Sequence, residues 1–245
     1  MSINHLLLDI EGTTCPASFV SEILFPFARK SLSGFIARNQ GKNDVRNILI
    51  AAQHEWDEDH SDASIKLREE HTSRNNETHA GVTAYLLHLT KIDNKSTALK
   101  DLQGMIWLMG YQQGELKAEI FPETADCFRS WTQKNLLLSS YSSGSIQAQK
   151  LLYQNTDYGD LSSTINEWFD THTGKKIVSL SYTKISQKLT VPPQEILFIS
   201  DSSKECDAAK GSGMRTLFSL RNGNPDKDPQ GHTVIRNLTE VELHL

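Results

Sequence analysis

Acidic and hydroxyl side chains follow three apolar segments of the chain, each at the point where a strand is expected to end. They are Asp9, Glu11, Ser142, Ser143 and Asp201, and Gly144 follows the two serines. Ligands of open parallel sheets bind outside the carboxyl ends of the strands, so these groups are expected to meet at one edge of a sheet. Carboxylates combined with hydroxyls and backbone amides are the chemistry of a hard cation beside a phosphate group.

A basic contribution comes from Gly174-Lys175-Lys176, in the loop after a third apolar segment that ends at Phe169. An anionic substrate that approaches a carboxylate at about 4 Å is repelled by about 4 kcal/mol per charge pair at an effective dielectric of about 20. A cation is therefore required. Physical chemistry alone does not separate the neighbours Lys175 and Lys176, and each acid or Ser-Ser-Gly taken singly is ordinary loop chemistry. Only their order along the chain favours a site.

The elements that must position these groups are strands that alternate with helices. Residues 3–10 have the apolar profile of a buried parallel strand. Further strands are predicted over 136–141, 167–169, 196–200 and 216–220, and helices over 124–133, 145–154, 182–189 and up to Lys210, closed by Gly211. Strands separated by helices predict a parallel sheet with right-handed crossovers.

The stretch between residues 18 and 112 has a different pattern, because its apolar residues recur at helical spacing throughout. We predict a kink at Pro26 and a helix cap at Ser96 within it. The first strand needs partners, and the nearest lie beyond residue 120. The prediction is therefore a discontinuous α/β core of residues 1–15 and 119–245, interrupted by an all-helical cap over 16–118 that covers the carboxyl ends of the strands.

Charge and composition exclude several classes of function. Lys and Arg total 25 against 30 Asp and Glu in 245 residues, a net charge of -5, which disfavours nucleic acid or an anionic membrane as a partner. Most of the excess lies between Lys42 and His79, with nine acids and five bases, and is expected on solvated helix faces. No membrane span, signal peptide or C-x-x-C pair is visible, so we expect a cytoplasmic protein with reduced thiols. We also expect a monomer.

The ordered motifs resemble those of the haloacid dehalogenase superfamily of aspartyl-phosphate phosphohydrolases. The first motif is similar to Leu8-Asp9-Ile10-Glu11-Gly12-Thr13-Thr14, and the others to Ser142, Lys176 and Asp201. The match is closer to the enolase-phosphatase (acireductone synthase) family of methionine salvage. The strings that carry it include Tyr141-Ser142-Ser143-Gly144-Ser145, Phe198-Ile199-Ser200-Asp201, Ile106-Trp107, Gly110-Tyr111 and Gly114-Glu115-Leu116. The resemblance spans nearly the whole chain and selects Lys176 over Lys175.

This resemblance implies a fold and a set of roles. The fold is α/β, a Rossmann-like parallel sheet with helices on both faces and a helical cap inserted after the first strand. The enzyme would be a phosphoric monoester hydrolase in which Asp9 is the nucleophile and Glu11 a second catalytic residue. One Mg²⁺ per chain would be held by Asp9, Glu11 and Asp201. The phosphate of a small-molecule ester would be bound by Ser142, Ser143, Gly144 and Lys176.

The family reaction, as the resemblance implies it, enolises 2,3-diketo-5-methylthiopentyl-1-phosphate and then dephosphorylates it to the acireductone. Glu11 stands where most superfamily phosphatases have Asp, and its longer side chain leaves open whether it acts as the general acid or as the enolising base. The alternative within enzymes is a Mg²⁺-dependent phosphatase for another small ester with no enolase step. A dehalogenase and a non-catalytic binding module are the other classes considered.

Overall fold

A computed structural model describes residues 2–72, 79–92, 94 and 96–245 of the chain. Contacts divide the chain into two compact units, Met1–Val20 with Lys117–Leu245, and Ser21–Leu116. The sequence predicts these two boundaries after residues 15 and 118. The catalytic and cap roles expected of the two domains stay predictions.

The helices and strands follow one another in the order expected for an α/β protein with a helical insert. In chain order they are β1 His5–Leu8, α1 Phe25–Asn39, α2 Asn43–Glu58, α3 Asp62–Thr72, α4 Ala80–Lys91, α5 Thr97–Gln112, α6 Thr124–Gln133, β2 Leu137–Tyr141, α7 Ile146–Gln154, β3 Glu167–Phe169, α8 Ser179–Leu189, β4 Ile196–Ser200, α9 Ser203–Gly211, β5 Arg215–Ser219 and β6 Thr233–Ile235. In the part that the structure describes, no helix is long and apolar enough to span a bilayer.

The strands form a six-stranded sheet in the order β3-β2-β1-β4-β5-β6, and every neighbouring pair is parallel. This confirms the predicted parallel core. Strand β1 is central, and Leu8 at its end lies opposite Ser140 of β2 and Ile199 of β4. The residue that follows β1 is thereby placed in the middle of the carboxyl edge, with the ends of two other strands beside it.

Part of the hydrophobic core is formed by residues of the strands and of α8. Leu7, Ile196 and Phe198 from the strands pack there with Tyr182 and Ile185 of α8, and all five are buried. The Tyr182 ring meets the Phe198 ring at 5.0 Å between centroids. Strands covered by helices need apolar side chains on both faces, so the period-two alternation of a half-exposed strand is absent from their sequence.

The helical unit is also built around buried apolar faces. The Trp56 ring of α2 stacks on the Tyr85 ring of α4 with 5.5 Å between centroids. Ser96 caps α5 as predicted, because its side chain accepts a hydrogen bond from the backbone N–H of Leu99. Most described acids between Lys42 and Thr72 are exposed. The end of that charged stretch, residues 73–78, lies outside the described residues.

Of four local predictions, three were wrong or incomplete. Pro26 lies in the first turn of α1, where a missing N–H costs little, and a π-helix over Phe19–Leu24 precedes α1. The kink at Pro26 stays a prediction. Gly211 is predicted to end α9, but it lies inside the helix. The residue with a left-handed φ after the helix is Gly213 (φ 96°). Helix α8 begins at Ser179, three residues earlier than predicted. Strand β6 was not predicted.

Candidate active site

Asp9 directly follows β1, and its side chain is only 7% exposed. Its Oδ1 accepts hydrogen bonds from the backbone N–H of Ile10 at 2.8 Å and from Nζ of Lys176 at 2.5 Å. Its Oδ2 accepts a hydrogen bond from Oγ of Ser200 at 3.1 Å. Donors on both oxygens fix the orientation of this carboxylate, which is what a nucleophile that attacks in line requires.

Lys176 is the cation that the structure brings to Asp9, whereas the neighbouring Lys175 is exposed. Besides Asp9, its Nζ contacts Oε2 of Glu205 at 2.7 Å. Burial alone lowers the pKa of Lys176, but the charges of the two carboxylates outweigh it and raise the pKa above its ordinary value. The Tyr182 hydroxyl donates to the backbone carbonyl of Lys176 at 2.7 Å, which anchors the loop on α8.

Glu205 is a residue of this cluster that sequence reasoning missed. It lies in the first turn of α9, and its Oε2 lies 2.8 Å from Oγ of Ser200, whose single hydroxyl hydrogen it shares with Asp9. Burial, and next the charge of Asp9, raise the pKa of Glu205, while Lys176 opposes them. The signal that could have found it is its position four residues after Asp201, in the first turn of a helix that begins at the carboxyl edge of the sheet.

Asp201 follows β4 and packs against the backbone of Gly12. Gly12 has a φ of +70°, and a Cβ placed on it would lie 2.2 Å from Oδ2 of Asp201. Only glycine fits this contact. The Gly12 carbonyl accepts hydrogen bonds from Ser219 Oγ and Asn224 Nδ2, both at 2.9 Å, so the loop is fixed from the side of β5 as well. The loop and the end of β4 are therefore built to meet.

The carboxylates of this edge repel one another. Burial, and next the charge of Asp9, raise the pKa of Asp201 to about 8; Glu205 and Glu11 add to the effect and Lys176 opposes it. Lys176 pairs with only two of these carboxyl groups, Asp9 and Glu205, and a divalent cation would relieve the remaining negative charge.

Hard oxygen donors of this kind fit magnesium. Among residues 2–72, 79–92, 94 and 96–245, no three His, Cys, Asp or Glu side chains converge as a preformed metal site. Octahedral Mg²⁺ commonly takes only one or two carboxylates and keeps water in the other positions. The oxygen donors of the edge therefore suit the ion without a dedicated cage.

The predicted phosphate-binding residues follow β2, the strand next to β1. Ser142 is buried, and its Oγ accepts a hydrogen bond from the backbone N–H of Gly144 at 3.2 Å. That contact leaves the hydroxyl hydrogen of Ser142 free to point at an anion, whereas the Gly144 amide is already engaged. Ser143 is exposed, and the half-buried Glu11 lies in the loop after β1. The structure places these residues along the same edge as Asp9, but in the described part Ser142, Ser143 and Gly144 are not hydrogen-bonded to the Asp9 side chain.

Comparisons with known proteins agree with this geometry. No family model matches the chain. Enolase-phosphatase E1 of Parasynechococcus marenigrum is 54% identical over 245 residues, covering 100% of both chains. Enolase-phosphatase E1 of Pseudomonas fluorescens is 39% identical, covering 99% of this chain and 98% of that protein.

Solved structures share the fold. The UTR4 protein of Saccharomyces cerevisiae is 34% identical with a TM-score of 0.77, covering 96% of this chain and 98% of that one. The HAD-hydrolase YfnB of Bacillus subtilis, solved bound to magnesium, is 15% identical with a TM-score of 0.57, covering 100% and 99%. The second likeness concerns the fold alone. With relatives of this identity along its full length, and with Asp9, Lys176 and Asp201 at one edge of the sheet, the chain belongs to the enolase-phosphatase family.

Proposed function

We propose that this protein enolises 2,3-diketo-5-methylthiopentyl-1-phosphate and dephosphorylates it to the acireductone 1,2-dihydroxy-3-keto-5-methylthiopentene. The observation that carries the proposal is the buried pair of Asp9 and Lys176, 2.5 Å apart at the centre of the carboxyl edge. Such a pair places a carboxylate nucleophile and a phosphate-binding cation side by side. The enolase-phosphatase relatives supply the class of substrate.

In the proposed phosphatase half-reaction, a carboxylate oxygen of Asp9 attacks phosphorus, and the bond from phosphorus to the substrate oxygen breaks. The leaving oxygen takes up a proton, for which Glu11 is the candidate donor. Water then attacks phospho-Asp9 and passes a proton to the Glu11 carboxylate, from which it goes to solvent. Inorganic phosphate is released, and the Asp9 carboxylate is restored. Ser200 and the Ile10 amide, which bond to Asp9, hold the carboxylate in place during these steps.

Positive charge at the phosphoryl group comes from Lys176, and the Ser142 hydroxyl offers a hydrogen bond to its oxygens. Ser143 and Gly144 are the other proposed contacts, with the Gly144 amide required to leave Ser142 when the phosphate binds. One Mg²⁺ per chain would be held by Asp9, Asp201 and an oxygen of Glu11. When bound, it would supply the charge that neutralises the phosphate and stabilises an enolate.

The enolase half-reaction requires removal of a proton from the carbon that carries the phosphate ester. Glu11 is the candidate base as well as the candidate acid, since it is half-buried in the loop next to Asp9. A carboxylate that takes this proton could return it to the leaving oxygen, while the enolate oxygen takes its proton from solvent, so one residue would serve both steps. The expected cytoplasmic location and monomeric state stay predictions.

The test is a single reaction followed by two signals. With 2,3-diketo-5-methylthiopentyl-1-phosphate and Mg²⁺, ultraviolet absorbance reports the enol product, and a coupled assay reports phosphate. The proposal predicts that both rise in equal amounts and that both stop when a chelator removes the metal. Phosphate release from other small esters at similar kcat/KM, with no enol signal from this substrate, would instead favour the simple phosphatase.

A further inference from the structure

The α/β unit contains a cavity with a positively charged lining and a volume of about 600 Å³. The described residues that line it are Phe121, Leu220, Arg221, Asn222, Lys227 and Arg236. None of the predicted site residues, from Asp9 to Asp201, belongs to this set. The cavity is therefore not the site that we assign to the phosphatase reaction.

Arg221 is the fixed part of this lining. It follows β5, is only 8% exposed, and its guanidinium carbon lies 4.2 Å from the centroid of the Phe121 ring. Its Nη1 donates to the carbonyl of Arg236 at 2.8 Å, and its Nη2 to Oε1 of Glu123 at 2.5 Å. In the described part of the chain, its buried Nε has no acceptor. These contacts hold the guanidinium in place and leave its Nε–H unused.

The other two basic residues of the lining differ from Arg221 because they are exposed. Lys227 and Arg236 are exposed, and neither forms an ion pair among the described residues, although Nζ of Lys227 donates to the carbonyl of Arg221 at 3.0 Å. Glu123 offsets the charge of Arg221 alone.

The remaining acids nearby are hydrogen-bonded to backbone or hydroxyl groups. Asp226 accepts from Ser203 and from the backbone N–H of Asp228. Asp228 accepts from the backbone N–H of Gln230, and Glu240 accepts from the backbone N–H of Arg236. Among the described residues, none of these three acids forms an ion pair with the side chains of Lys227 or Arg236. The two basic side chains of the lining are therefore available to an anion, because no carboxylate of the described residues pairs with them.

We propose that this cavity binds a small organic oxyanion, a phosphate or carboxylate group attached to a short apolar body. Lys227 and Arg236 would take the oxyanion, as basic side chains do at phosphate and carboxylate sites. Phe121 and Leu220 would contact the apolar part. Nη2 of Arg221 also lies 3.5 Å from the carbonyl of Thr13, so the cavity adjoins the loop that carries Glu11.

Calorimetric titration of the full chain without Mg²⁺ tests the proposal, with inorganic phosphate and acetate as separate probes. The variant Lys227→Gln/Arg236→Gln should weaken binding of at least one probe by about tenfold or more, because two charged donors are lost. The control Lys210→Gln removes an exposed cation that does not line the cavity and should leave both isotherms unchanged. Phosphate bound at Asp9 and Lys176 contributes equally to all three proteins.

Loss of binding for phosphate alone would assign the cavity to phosphate esters, and loss for acetate as well would assign it to oxyanions in general. Isotherms of the double variant that superimpose on those of the original protein for both probes would overturn the proposal, as would an equal loss in Lys210→Gln. Thermal unfolding checks the fold of each variant. If the double variant unfolds, Lys227→Gln alone, whose side chain is exposed, replaces it under the same criteria.

Discussion

Replacing Lys176 by methionine should slow phosphate release by about a thousandfold. Its ammonium lies 2.5 Å from the carboxylate proposed to attack phosphorus, so it faces the incoming phosphoryl group at close range. A unit charge about 4 Å from a phosphoryl charge contributes about 4 kcal/mol at an effective dielectric of about 20. Since about 1.4 kcal/mol corresponds to a factor of ten in rate, the loss is about three orders of magnitude.

The same substitution leaves Asp9 and Glu205 as neighbouring buried carboxyl groups without their cation. Breaking a buried ion pair by removing one partner costs about 3–5 kcal/mol, so the midpoint of thermal unfolding should also fall. The assay is therefore steady-state phosphate release at saturating Mg²⁺, at a temperature where circular dichroism shows that the variant is folded.

Lys175→Met is the matched control, because it removes the same side chain from the adjacent, exposed position. We expect its kcat to stay within about twofold of the original protein, as is usual for an exposed residue away from the chemistry. The reasoning is refuted if folded Lys176→Met keeps more than a tenth of the original kcat, or if Lys175→Met loses as much activity as Lys176→Met.

Two further predictions concern the loop after β1 and the strand itself. Gly12→Ala should raise the Mg²⁺ concentration for half-maximal phosphate release, because the new Cβ would displace the Asp201 carboxylate. The control is Gly114→Ala, which has a similar φ of +72° but no atom within 4 Å of the new Cβ, and it should leave that concentration unchanged. Burial lowers the pKa of His5 from 6.5 to about 4, so between these pH values only the unfolded chain takes up the proton and stability falls as pH falls. His5 should account for a loss of about 3 kcal/mol in the free energy of unfolding from pH 7 to pH 4, and urea titrations of His5→Gln should show a correspondingly shallower pH dependence.

The parts of the fold and site that follow from short-range patterns could be predicted from the sequence. Strands β1 and β4 are covered on both faces, which makes their apolar runs plain, and the acids after them must reach the carboxyl edge. The pairing of β1 with both β2 and β4 then places Asp9 and Asp201 near each other. The resemblance to a family supplied the choice of Lys176.

The remaining features depend on directions that sequence spacing does not fix. Which of two adjacent lysines enters the site depends on the path of the loop, which Tyr182 anchors at the carbonyl of Lys176. Glu205 joins the cluster because the first turn of α9 faces back toward Ser200. Arg221 contacts Glu123, almost 100 residues away in the chain, and no local pattern reports such a pair.

The most direct measurement of the central claim is phosphate release by Asp9→Asn with 2,3-diketo-5-methylthiopentyl-1-phosphate and saturating Mg²⁺. Asparagine keeps the size of the side chain and an oxygen that can accept from Lys176, so the unfolding midpoint serves as the check that the fold survives. The account predicts a folded protein that releases no phosphate above background, because the amide cannot form the phospho-enzyme. A folded Asp9→Asn protein that releases phosphate at the original rate would contradict it.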